Sequence, residues 1–356
     1  MTEQVRVGVV GTSWWADMHH LPYLKSHPQA QIAAICGRNK DRAEKIAGKY
    51  EIPTVYTDYR EMIEKGELQA LIASVPDDIH YPVVMAALDA GLHVICEKPM
   101  AMNVVQAQEM TDRALEKKVK HMTYFTWRWL PHYKYVKSLI DDGYIGNCYH
   151  CHIQWFTGAV RNGAYAWRFD RNHGSGVLGD LGSHATDFAR LLVGEVTGVS
   201  ANLGTHIDLN SSPAGTIDPA DDSAMLMLDF QSGAQGVIHV SAVSHIGSRV
   251  WDQRMLLHGD AGSIEVSSTI AGTTISGSKD GEKEFQPLPI PDYYWENADK
   301  KNPFSVFTSQ SVGARLFIDS ILEDKPVSPG FEDGLAVQKV LDAARASHEQ
   351  GVRILI

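Results

Sequence analysis

In its first third the chain alternates short apolar runs, most of them rich in Val and Ile, with stretches long enough for three helical turns. No other feature constrains its fold as much. The runs fall at Val5–Val10, 32–36, 71–75, 94–96 and 121–125, and helix-like stretches at Lys40–Tyr50, 81–90 and Val104–Lys117 lie between them. Strands joined by helices of this length pair in parallel through right-handed crossovers. A doubly wound parallel sheet is therefore expected over residues 1–125.

Near Thr126 the rhythm changes. A helix over 131–142 precedes a strand over 149–156, then a loop rich in Gly, Arg and aromatics, then a helix over 183–192. Apolar runs at 199–203, 224–230, 234–244, 255–258 and 263–267 follow with no helix between them, broken by Gln231-Ser232-Gly233 and Gly259-Asp260-Ala261-Gly262. Tight turns between consecutive strands imply antiparallel pairing. The second domain, 126–356, is thus expected to be α+β, with a large open, mostly antiparallel sheet. Helical periodicity returns over 304–322 and 335–349, and the last helix is expected to pack back on the first domain. The overall class is α/β, and 356 residues suit two cores better than one.

A net charge of -11 argues against nucleic acid as a partner, since that binding neutralises phosphates with Lys and Arg. No apolar run approaches the roughly 20 residues that span a bilayer. The first strand begins almost at once, with no basic and apolar leader before it, so a cytoplasmic protein is expected. Cys36 and Cys96 end apolar runs, as buried free thiols do. Cys148, His150, Cys151 and His152 crowd together, but neighbours on a strand point to opposite faces and the spacing is tighter than zinc pairs use. No metal is assigned.

The turn after the first strand reads Gly8-Val9-Val10-Gly11-Thr12-Ser13-Trp14-Trp15-Ala16. A dinucleotide-binding turn needs a Gly to turn, a Gly where backbone meets pyrophosphate, a place filled here by Ser as the smallest side chain with a donor, and a small residue where helix packs on strand. Gly11, Ser13 and Ala16 take these places, and Thr12, Ser13 and Trp14 form the expected phosphate loop at a helix N-terminus. After the second strand comes Cys36-Gly37-Arg38-Asn39, with no carboxylate for a ribose 2′-OH. Gly37 and Arg38 therefore lean the expected cofactor, NAD(P), toward NADP(H), whose 2′-phosphate an Arg accommodates.

Glu97-Lys98-Pro99 follows the fifth run, at the carboxyl end where ligands bind in open α/β sheets. There Lys98 could stabilise a developing alkoxide. Downstream lies Gly174-Ser175-Gly176-Val177-Leu178-Gly179-Asp180-Leu181-Gly182-Ser183-His184. Asp180 and His184, four apart, share one face if helical, with His184 suited to accept an alcohol proton. A metal pair and a purely local contact are the competing readings, and Asp187 either helps or faces water. Tyr124, Trp127, Arg128, Trp155, Arg161, Trp167 and Arg168 suit a polyhydroxylated ring, although core packing is an alternative for each tryptophan.

These motifs, together with Val75-Pro76-Asp77-Asp78-Ile79-His80, Gly91-Leu92-His93-Val94-Ile95-Cys96 and Trp167-Arg168, resemble the glucose–fructose oxidoreductase / inositol dehydrogenase / MocA family from Val5 to the C-terminus. The resemblance implies an N-terminal Rossmann domain and NAD(P)-dependent oxidation of a CH–OH group on a sugar, inositol or related polyol. It implies Lys98 as catalytic lysine, completed by Asp180 and His184. Pro76, His80 and Glu97 would line the cofactor cleft, and the open sheet would form a homodimer or homotetramer face. Ser13 departs from the family's usual second Gly. Two other activities share these early features: glycoside cleavage by transient oxidation at C3 with recycled cofactor, and a non-catalytic dinucleotide sensor.

Overall fold

A computed structural model of the protein describes residues 4–209 and 217–356. The chain divides into two compact units, Met1–Trp129 with Glu296–Leu335, and Leu130–Trp295 with Ala336–Ile356.

The first unit is built on six strands, β1 (Val5–Val10), β2 (Ala30–Cys36), β3 (Thr54–Tyr56), β4 (Ala70–Ala73), β5 (His93–Cys96) and β6 (His121–Thr123). They lie in the order 3-2-1-4-5-6 and every pair is parallel. The crossovers carry α1 (Leu21–Lys25), α2 (Lys40–Tyr50), α3 (Tyr59–Lys65), α4 (Asp77–Asp89) and α5 (Val104–Lys117). Strand order reverses between β1 and β4, so the carboxyl ends of these strands flank the crevice where such sheets take ligands. Side-chain caps fix where three helices start: Asn39, Asp58 and Asn103 accept from the amides of Arg42, Arg60 and Gln106 at 2.9, 2.9 and 3.0 Å. Each such cap contributes about 1 kcal/mol. On one face of the sheet Val10, Leu71, Ala73, Val94 and Cys96 pack with Val83, Val84, Ala87 and Leu88 of α4 and Met110 of α5, all buried. Fully burying a Val, Leu or Met side chain stabilises by roughly 1.5–3 kcal/mol.

Distant sequence completes this unit. His27 pairs with Asp319 (2.9 Å), Arg315 donates to the Ser26 carbonyl (2.5 Å), and the Phe331 amide donates to His121 Nδ1 (3.0 Å). The single helix expected over 304–322 is broken. A short turn, Pro303–Ser305, runs into Val306–Ser309, and Ala314–Leu322 starts afresh. Gln310 is extended, and Gly313 sits at φ +56° where a Cβ would come within 2.6 Å of Tyr124 Oη. Periodicity survives such a break because the apolar face resumes beyond it.

The second unit contains α6 (Pro131–Asp141), β7 (Cys148–Phe156), α7 (Ser183–Val193), β8 (Val196–Gly204), β9 (Ser223–Phe230), β10 (Gln235–Ser241), β11 (Asp252–Gly259), β12 (Gly262–Thr269), β13 (Gly272–Lys279), β14 (Gln286–Pro287) and β15 (Ile354–Leu355). The nine strands form one sheet in the order 14-13-12-11-7-10-9-8-15. Every pair is antiparallel except β7 with β10. The chain leaves β7 on a long excursion through α7 and returns to its side only after β9, so no hairpin dictates its direction. Along β9, Ala224, Leu226 and Leu228 are buried while Met225 and Met227 are exposed. The sheet therefore has one covered and one open face. Buried Tyr133 of α6 meets Phe188 of α7 at 4.5 Å between ring centroids. Among the described residues no helix is long and apolar enough to cross a membrane.

Candidate active site

At the carboxyl edge of the parallel sheet, Gly11 follows β1 at φ +126°. A Cβ there would lie 1.9 Å from the Ser74 carbonyl oxygen, so only Gly lets the turn press against the end of β4. At Gly37, after β2, a Cβ would meet Thr12 Cγ2 at 2.5 Å, which draws the two turns together. Ser13 Oγ accepts from the Ala16 amide at 3.3 Å, so its hydroxyl serves the start of the helix. Trp14 and Arg38 are exposed, and Pro76 stands at the N-cap position of α4, just before Asp77 and Asp78 in its first turn. A tight Gly turn opening a helix, with an exposed Arg on the neighbouring turn after β2, fits a dinucleotide phosphate and ribose.

Glu97 and Lys98 leave β5 on the same edge. Glu97 is buried, and one of its oxygens, Oε1, meets both Trp15 Nε1 (2.5 Å) and His20 Nε2 (2.6 Å). Its Oε2 accepts from the Lys98 amide at 3.3 Å. Burial alone would raise the Glu97 pKa, but the hydrogen bond and charge of His20, the Lys98 ammonium and the Trp15 donor outweigh it, and the net shift is downward. His80 is fully buried and its Nδ1–H donates to the Pro99 carbonyl at 2.9 Å. The sequence reading overlooks Trp15 and His20. They lie five residues apart, a spacing that no helical or strand rule singles out.

Other residues named for the substrate sit deeper or elsewhere in this unit. Tyr124 is fully buried against His20, Trp129 and Phe307. Trp127 meets Phe304 edge-on, and Arg128 pairs with Asp333 at 3.2 Å while lying over the Phe125 ring.

In the second unit, Asp180 lies in a π-helical turn, Leu178–Gly182, and His184 in the first turn of α7. The two are thus not on one regular α-helix as the spacing suggests; the wider turn feeds directly into it. His184 is buried and stacks on Trp155 of β7, centroids 5.6 Å apart and planes 29° apart. Asp180 pairs with Arg168 Nε at 3.3 Å, and that guanidinium lies 4.3 Å from the Trp167 ring. Trp155 with His184, and Trp167 and Arg168 with Asp180, are therefore brought together. Arg161 is exposed and donates to the Val243 carbonyl at 2.9 Å. Asp187 is buried and does not face water.

The Gly-rich turn is seated by a residue far along the chain. Asp221 Oδ2 accepts from the Leu178 amide at 2.7 Å and its carbonyl from the Val177 amide at 2.8 Å. Gly176, at φ +68°, leaves room for the carboxylate, which a Cβ would approach to 2.5 Å. Burial raises the Asp221 pKa despite these donors and Arg345. Cys36, Cys96 and Cys151 are buried thiols whose pKa burial pushes up, which leaves them poor nucleophiles. Among the described residues no cluster of three or more His, Cys, Asp or Glu could hold a metal ion.

Comparison with known proteins identifies the family and the fold. Residues 5–125 match the oxidoreductase family with an NAD-binding Rossmann fold, and residues 133–265 match the GFO/IDH/MocA C-terminal domain. The chain is 27% identical to levoglucosan dehydrogenase of Pseudarthrobacter phenanthrenivorans, over 96% of this chain and 95% of that protein. It is 28% identical to myo-inositol 2-dehydrogenase of Thermotoga maritima, over 97% of each. A solved structure of levoglucosan dehydrogenase with NADH and levoglucosan superposes with a TM-score of 0.89 at 26% identity, covering 99% of this chain and all of that one.

Proposed function

The chain belongs to the GFO/IDH/MocA family of NAD-binding, sugar- and polyol-type dehydrogenases, and on that footing we propose that it moves a hydride between NADP(H) and a secondary alcohol of a sugar, inositol or related polyol. The observation that carries the reading is Lys98 leaving the carboxyl end of β5, on the sheet edge where Gly11 turns and Arg38 stands exposed.

In this reading residues 1–125 bind the cofactor and 126–356 the substrate. Gly11, Thr12, Ser13 and Trp14 hold the pyrophosphate, Gly37 and Arg38 the adenosine end, and Pro76, His80, Glu97 and Lys98 the nicotinamide end. The exposed Arg38 and the missing carboxylate after β2 support NADP(H). When bound, the nicotinamide takes up or returns the hydride. His184 accepts the proton of the substrate hydroxyl as the C–H bond breaks and the carbonyl forms. Its ring is held by Trp155. Lys98 stabilises the charge developing on that oxygen. Asp180, steadied by Arg168, binds a neighbouring hydroxyl or orients His184. Trp167 and Arg161 complete the sugar-facing surface of the second unit, and Tyr124, Trp127 and Arg128 of the first are the remaining substrate residues of this reading. The open face of the nine-stranded sheet, with exposed Met225 and Met227, forms the contact of a homodimer or homotetramer.

The test is nicotinamide reduction across levoglucosan, myo-inositol, aldoses and glycosides, with NADP+ and NAD+ in parallel. Reduction that tracks formation of a ketone supports the reading. Glycoside cleavage with no net reduction would replace it with transient oxidation and a recycled cofactor. Cofactor binding with neither product would replace it with a sensor.

A further inference from the structure

Trp15 and His20 reach the same oxygen of Glu97, although they are five residues apart. In an α-helix such residues are separated by roughly 140° around the axis and cannot converge on one atom. Here the turn Ala16–His20 is π-helical, with the Leu21 amide donating to the Ala16 carbonyl five residues back. The wider turn brings positions five apart onto one side, and π-turns of this kind recur at functional sites. His19, next to His20, packs at a tilt against the Trp15 ring, 3.7 Å between centroids, and meets Tyr23 Oη at 2.7 Å, which holds the indole in place.

A buried carboxylate kept charged is a costly way to secure a turn; well-packed apolar side chains often do as well. Glu97 is 7% exposed, and its second oxygen meets the amide of Lys98. We propose that His20, with Trp15, is a positioning residue for Lys98, acting through the Glu97 carboxylate. The inference rests on the assignment of Lys98 given above. Two donors fix Oε1, which leaves Oε2 directed at the Lys98 amide and sets where that side chain departs from the sheet edge. The π-turn thereby couples the phosphate-binding turn of β1 to the reacting end of β5.

The test compares His20→Leu, which removes the donor, with His20→Gln, which keeps one, and with Trp15→Phe, which keeps the ring and loses only Nε1. Two readouts serve the full-length protein: turnover of the responding alcohol, and hydrogen exchange in peptides covering residues 96–101. In His20→Leu, kcat should fall about 10- to 100-fold, as misplacement of a reacting group does. KM for the alcohol and Kd for NADPH should stay within about threefold, the mark of a loss confined to the transition state. His20→Gln should restore most of kcat, and Trp15→Phe, the mildest change, should show a smaller loss of the same kind. Exchange at 96–101 should accelerate in His20→Leu and Trp15→Phe alone, with peptides from β2 unchanged. In a Lys98→Met background His20→Leu should cost little more, since the two act as one unit.

Unchanged exchange at 96–101, or an equal His20→Leu loss with and without Lys98, would overturn the positioning role. Full turnover by Lys98→Met alone would instead overturn the assignment of Lys98, while the exchange readout still decided whether His20 holds the turn. If His20→Leu does not fold, the Trp15→Phe and His20→Gln pair decides the same question.

Discussion

The Trp155 indole lies against the His184 imidazole, centroids 5.6 Å apart and planes 29° apart, so the sheet of the second unit sets the orientation of its proposed proton acceptor. Trp155 comes from β7, whose inward positions are fixed by pairing on both edges, with β10 and β11. A ring supported on one face turns less freely, so the direction of its nitrogens is held. Trp155→Ala should lower kcat about tenfold or more through lost orientation. Trp155→Phe should retain most of it. Steady-state kinetics on the responding alcohol checks this, and equal losses in the two variants would count against it.

The Arg38 assignment makes a prediction about cofactor choice. Arg38→Ala should lower kcat/KM for NADP+ by about 10- to 100-fold, the scale of a charge-assisted contact. The value for NAD+, which lacks the 2′-phosphate, should barely change. Parallel titrations with both cofactors measure it.

Glu97 gives a pH dependence with a definite sign. Its folded pKa lies below the ordinary value of 4.5, so the ionised form is favoured by folding. That contribution is fully present above pH 4.5 and is lost as pH falls through the depressed folded value. Wild type should therefore unfold at a higher temperature than Glu97→Gln at pH 7, and the gap should narrow on acidification below about pH 4.5. Thermal scans of both proteins across that range report it.

Two positions test the seating of the turns. Gly11→Ala places a Cβ against the Ser74 carbonyl in a backbone region closed to most side chains. It should cost several kcal/mol or prevent folding. Asp221→Ala leaves the buried Leu178 amide without its acceptor. A cost of about 1–3 kcal/mol follows from an orphaned buried group. Denaturant titration measures both.

Much of this was legible in the sequence. The parallel sheet follows from five short apolar runs spaced by helix-like stretches, and α2 and α5 have the bounds of two of those stretches, Lys40–Tyr50 and Val104–Lys117. The short β3 and α3 left no trace, because three residues of strand carry no readable period. The break at Gly313 was hidden by an apolar face that resumes on its far side. Of the proposed catalytic residues, Lys98, Asp180 and His184 stand out in the sequence through motif and position. Their supports do not: Trp15 and His20 act through a π-turn, and Asp221 reaches the Gly-rich turn from 43 residues along the chain. Such partners are set by tertiary packing, which local spacing does not encode.

The central claim is tested most directly by single-turnover nicotinamide reduction in wild type and Lys98→Met, with NADP+ saturating and the best alcohol of the panel. The account expects the variant to bind NADP+ but to reduce it at least about 100-fold more slowly, as loss of an oxyanion-stabilising donor does. Reduction at the wild-type rate would show that Lys98 takes no part in the chemistry and would contradict the account.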